Sequence, residues 1–93
     1  MAAISGQKTV TTAGTELALG TVAINGPLMV KALDTNTGIV VLGNDGAGVL
    51  TTSTGIRLAA GDAVVFEFVS NLSAIMVDSA VSGEGVSWIA LKA

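Results

Sequence analysis

Ninety-three residues make a 9.1 kDa chain that is 51% hydrophobic, 12% charged and 3% aromatic, with 12 Gly and a net charge of −3. So few charges among so many apolar residues exclude a disordered tail or linker, and the acidic balance argues against a nucleic-acid surface. The absence of His and Cys removes imidazole catalysis, thiolate chemistry, disulfides and the usual zinc sites.

Taken in chain order, Met1–Gln7 has neither the charged-then-apolar layout of a secretory signal nor a strand pattern. It is left as an N-terminal arm ahead of a single domain, residues 8–93. Strands are predicted near Lys8–Thr12, Glu16–Ile24, Leu28–Leu33, Ile39–Leu42, Val49–Thr52, Ile56–Leu58, Ala63–Ser70, Ala74–Asp78 and Val86–Lys92, where β-branched residues cluster. Gly, Asn and Asp mark the turns between them: Asn25-Gly26-Pro27, Asn36-Thr37-Gly38, Asn44-Asp45-Gly46, Ala60-Gly61-Asp62 and Ser82-Gly83-Glu84-Gly85. One helical turn is expected, over Ser70-Asn71-Leu72-Ser73. No linker is long enough for a crossover helix, so parallel α/β folds are excluded. The expected fold is all-β, a compact β-sandwich or jelly roll of about eight short antiparallel strands.

Mean hydropathy is high, at +0.75. Yet the longest apolar runs, such as Ile39-Val40-Val41-Leu42, hold four residues, against about 20 for a spanning helix. No membrane partner is expected. The phrase Thr-x-Thr-Gly-Ile occurs twice, at 35–39 and 52–56, and reads as a reused turn.

Catalysis would need a nucleophile with a base, paired carboxylates or a metal cluster. The seven acids are spread almost evenly and fall mostly at turns, and Lys8, Lys31 and Lys92 lie in no Ser-x-x-Lys pattern. No enzyme activity, cofactor or metal site is expected. Asn44-Asp45 and Asp62 carry oxygens of the type calcium takes, but as turn residues they read first as caps. Gly83-x-Gly85 has no helix after it to hold a phosphate, and reads as a hairpin turn. Trp88 reads as core, with a sugar-stacking platform or interface anchor as the alternatives. Asn71-Leu72-Ser73 fits the glycosylation pattern by chance, and Arg57 takes a solvent-facing strand position.

The apolar residues exceed what one face of each strand can hold. If Val64, Phe66 and Phe68 point inward, Val65 and Val69 remain outside. Val86, Trp88 and Ala90 leave Ile89 and Leu91 outside, and Leu28, Val30 and Ala32 leave Met29 and Leu33. Met29, Leu33, Val65, Val69, Ile89 and Leu91 are therefore the expected oligomer interface. Lys31 and Glu67 interrupt this outer face, either to keep it soluble or to form pairs.

The order of phrases Val30-Lys31-Ala32-Leu33, Asn36-Thr37-Gly38-Ile39-Val40-Val41-Leu42-Gly43, Gly55-Ile56-Arg57-Leu58-Ala59-Ala60-Gly61-Asp62, Asn71-Leu72-Ser73-Ala74-Ile75-Met76-Val77 and Gly85-Val86-Ser87-Trp88-Ile89-Ala90 resembles small β-rich structural proteins of tailed bacteriophages. The likeness is to the decoration, or cement, proteins that clamp the outside of the capsid. It implies a homotrimer bound to the major capsid protein on the virion surface, made in the host cytoplasm, with no residue-level site carried over. A head–tail or tail-surface component, and a metal-free sugar-binding jelly roll, are the alternatives.

Overall fold

Strand β3, Ala23–Ala32, alternates for ten residues between solvent and core, burying Ile24, Gly26, Leu28, Val30 and Ala32. The chain is described from a computed structural model over residues 2–44, 50–51 and 53–93. The other strands are β1 Ala2–Thr9, β2 Leu17–Ala18, β4 Val40–Gly43, β5 Ile56–Leu58, β6 Ala63–Asn71, β7 Met76–Ser79 and β8 Gly85–Lys92. A one-turn 3₁₀ helix, Leu72–Ala74, follows β6, where the helical turn was expected. Its N-cap is Asn71, whose side-chain oxygen accepts the Ser73 N–H at 2.9 Å.

The strands form two antiparallel sheets, ordered β1-β8-β3-β6 and β2-β7-β4-β5. The pairs β1·β8, β2·β7, β3·β6 and β4·β5 nest inside one another, as in one long hairpin folded across itself. The pairs β3·β8 and β4·β7 close that ribbon into two layers. This nesting is the jelly-roll arrangement of a β-sandwich. The layers meet through Leu28, Val30, Val86 and Ala90 from the first sheet and Val40, Leu42, Leu58 and Val77 from the second. Most of these are β-branched or Leu at every second position, which is why the sandwich closes around them.

Several expected boundaries differ. Ala2–Gln7, expected as an arm, lies in β1 and pairs with β8 from Ala2↔Lys92 to Thr9↔Gly85. Its composition is too polar to announce a strand, but an unpaired β8 edge supplies the hydrogen bonds. Gly6 sits opposite Trp88, and a Cβ there would stand 2.9 Å from the indole, so glycine makes room for the ring. The stretch Glu16–Ile24, expected as one strand, is divided because the chain passes there from β2 in one sheet to β3 in the other.

Asn25-Gly26-Pro27 is not a turn. It lies inside β3, where the register to β6 shifts on both sides of Gly26. Such bulges take residues that read as turn formers. Asn25 holds a positive φ of 49°, which Asn tolerates better than most residues. Gly26 lies so close under the Leu91 carbonyl that a Cβ would collide with it. Ser82-Gly83-Glu84-Gly85 is a turn, but it joins the two sheets and is not a hairpin within one. The expected strand Val49–Thr52 and the turn at Asp45-Gly46 fall largely outside the described residues. Leu50, from that stretch, is buried.

Candidate docking surface

Three strands of the first sheet set one apolar row on its outer face. Met29 on β3 pairs with Ile89 on β8 and with Val65 on β6, so the three side chains stand side by side and point away from the core. They are 38%, 47% and 65% exposed, respectively, and Leu91, two residues along β8, is 41% exposed. With Pro27, Leu28 and Ala90 these four line a shallow groove of about 260 Å³. The chemistry of the groove is that of a surface for apolar side chains. Charges sit beside it: Lys31, two residues beyond Met29, reaches Asp34 at 3.5 Å, and Glu67, two beyond Val65, is exposed. An apolar centre with a charged rim is the general pattern of a protein–protein patch.

Four of the six residues expected at an interface, Met29, Val65, Ile89 and Leu91, are thus brought together. The other two are not. Val69 is buried in the core at 6% exposure, while Phe68, expected inside, is 66% exposed. Strict alternation fails in β6 because Glu67 and Phe68 are both exposed, next to the register shift between Gly26 and Leu28. The inserted residue reverses the faces beyond it. Leu33 is half-buried just past the end of β3, gives its N–H to the Gly85 carbonyl, and does not line the groove. Pro27, missed in the sequence because it looked like a turn residue, does line it.

The remaining polar candidates have structural partners. The Asp62 Oδ2 accepts the Ala59 N–H at 3.1 Å, capping the turn into β6. The Asn71 amide group also donates to the Thr21 carbonyl at 3.3 Å. Asn44 donates to the Ala74 carbonyl at 2.9 Å, while Asp45, its expected companion, lies outside the described residues. Trp88 is half-buried and packs against the core cluster. Arg57 is exposed on β5. Among the described residues no group of three or more His, Cys, Asp or Glu gathers around a point, and no helix is long and apolar enough to cross a membrane.

One polar cluster ties the turn before β4 to the turn before β8. The Glu84 carboxylate accepts the Thr37 N–H at 2.6 Å, the Thr37 hydroxyl at 2.9 Å and the Gly38 N–H at 2.9 Å. Its pKa is held below the ordinary carboxylate range, first by the Thr37 N–H and then by the Gly38 N–H, against a smaller effect of desolvation. Beside it the buried Asn36 donates to the Gly85 carbonyl at 2.8 Å and accepts the Gly85 N–H at 3.4 Å. Gly85 itself lies so close against the Lys8 carbonyl that a side chain there would collide with the end of β1. The cluster fastens the end of the sandwich.

Comparison with protein families, curated proteins and solved structures finds no match to this chain. The described residues form an antiparallel β-sandwich of eight strands, with an apolar row exposed on the outer face of the first sheet.

Proposed function

We propose that this protein is a non-enzymatic structural protein of a tailed-phage virion, which binds the outer surface of the capsid and stabilises it as a homo-oligomer. The observation that carries the reading is the row Val65–Met29–Ile89 with Leu91, exposed on a sheet that no helix among the described residues covers. Fully covering an aliphatic side chain contributes about 1.5–3 kcal/mol, and these four are already partly buried, so each contributes less. The sum still weighs against the entropy of association, and copies of the same face satisfy one another by symmetry. The assignment to a phage capsid, and to three subunits, rests on the resemblance in phrase order. Jelly rolls serve in capsids and lectins alike, so the fold by itself does not choose between them. The packing of Trp88 against the core favours the structural reading over a sugar-binding one.

The test uses expanded capsids purified from the same phage without this protein. Added wild-type protein should bind them in a saturable ratio and raise their resistance to heat, while Ile89→Asp should bind at least about tenfold more weakly, a loss of about 1.4 kcal/mol, because a carboxylate in an apolar contact loses its water without a partner. Equal binding by naked DNA at physiological salt, or no binding to capsids, would contradict the proposal.

A further inference from the structure

Two charges of opposite sign flank the apolar row of the first sheet at equal distances. Lys31 stands two residues beyond Met29 on β3, and its register partner on β6 is Ala63. Glu67 stands two residues beyond Val65 on β6, on the side away from Ala63. Two residues of strand span about 7 Å, so the row Val65–Met29–Ile89 lies midway between a cationic end and an anionic end. Alternation puts both charges on the outer face with the row, Lys31 half-buried and Glu67 exposed. Among the described residues, no other charged residue in the strands of this sheet shares that face. Lys8 pairs with the buried Val86, and Lys92 lies two residues from the buried Ala90, so both belong to the opposite side. Two acids lie in the turns beyond the Lys31 end. The Asp62 carboxylate accepts the Ala59 N–H. Asp34 meets Lys31 at 3.5 Å in an exposed pair, a kind that contributes little, and the ammonium has donors left for another carboxylate.

This layout discriminates between ways of setting copies face to face. A rotation axis parallel to the strands places the Lys31 end of each copy against the Lys31 end of the next, and Glu67 against Glu67. Like charges juxtaposed in a contact are costly. An axis along the row, across the strands, places Lys31 of each copy against Glu67 of the next while the apolar rows still meet. The outcome is the same for a two-fold and for a three-fold axis. We infer that the symmetry axis of the oligomer runs along the row, and that Lys31 of each copy pairs with Glu67 of the next. The inference rests on the reading of this face as the contact between copies. Phe68, exposed beside Glu67 at the anionic end, adds an aromatic ring of the kind that attracts an ammonium. In the sequence the two charges interrupt two separate apolar strands, and only the β3·β6 register shows that they bracket one row.

The test follows association of the full chain by sedimentation over a range of concentrations at physiological salt. Lys31→Glu and Glu67→Lys should each raise the dissociation constant at least about tenfold, because each sets like charges together at every contact. The variant carrying both changes should associate at least about tenfold more tightly than either single one, as coupled partners do. A zero-length carbodiimide supplies a second measurement. Applied to a mixture of unlabelled and isotopically heavy wild-type chains, it should join Lys31 of one to Glu67 of the other, read by mass spectrometry. The cross-link decides the matter if a reversal does not fold. An oligomer indifferent to both reversals, a double variant as weak as the single ones, or an oligomer that yields no such link would overturn the inference and leave the contact face standing. A wild-type chain that stays a monomer would remove the contact face itself, and the inference with it.

Discussion

Glu84 shows how one side chain sets a pH dependence. Its pKa in the folded protein lies below the ordinary 4.5, because the Thr37 and Gly38 N–H groups bond the charged form. A lowered folded pKa means that the contribution is complete above the unfolded value. It fades as the pH falls below about 4.5 and through the folded value. Glu84→Gln should therefore flatten that part of the acid limb of the stability curve, with little change in its slope near neutrality. Urea melts from pH about 6 down to about 3 check this, and equal acid limbs in both proteins would contradict it. Gly26 is the steric counterpart. A methyl there meets the Leu91 carbonyl, which is backbone and cannot swing aside. Gly26→Ala should cost about 1–3 kcal/mol, as overpacking does, measured as a lowered urea midpoint at unchanged slope.

At the level of elements, β1 decides whether the first sheet has four strands. Its eight residues pair along the whole length of β8, and Gly6 lies against the Trp88 ring. Removing residues 2–7 should lower the melting temperature by several degrees and shift Trp88 emission to the red as the indole meets water. A truncated chain with unchanged melting and emission would show that β1 is dispensable. The sequence made β4 to β8 legible, because clusters of β-branched and apolar residues bounded by Gly, Asn and Asp mark short strands even where, as in β4, alternation is absent. Turn chemistry was less reliable. Asn25-Gly26-Pro27 looks the same whether it reverses the chain or bulges within β3, since both need a positive φ or a close approach. The same bulge region hid the reversal at Phe68 and Val69, and with it one wrong interface residue. The strand β1 was hidden because its pairing depends on β8, more than seventy residues away in sequence, and not on its own composition.

For the whole molecule, the nested strand order explains why an apolar face is left over. A jelly roll has two layers with the core between them, and none of the described elements covers the outside of the first sheet. Met29, Val65 and Ile89 were legible as surplus in the sequence, and the cross-strand register gathers them into one row. A patch of this kind is usual on proteins that associate, and a like-charged pair placed in it should keep copies apart. The most direct measurement is the solution mass by light scattering at tens of micromolar, for the wild type and for the double variant Val65→Asp, Ile89→Asp. The account predicts a wild-type mass that is a multiple of 9.1 kDa, three chains by the resemblance, and a folded monomer for the double variant. A wild-type monomer at that concentration, or an unchanged oligomer in the double variant, would contradict it.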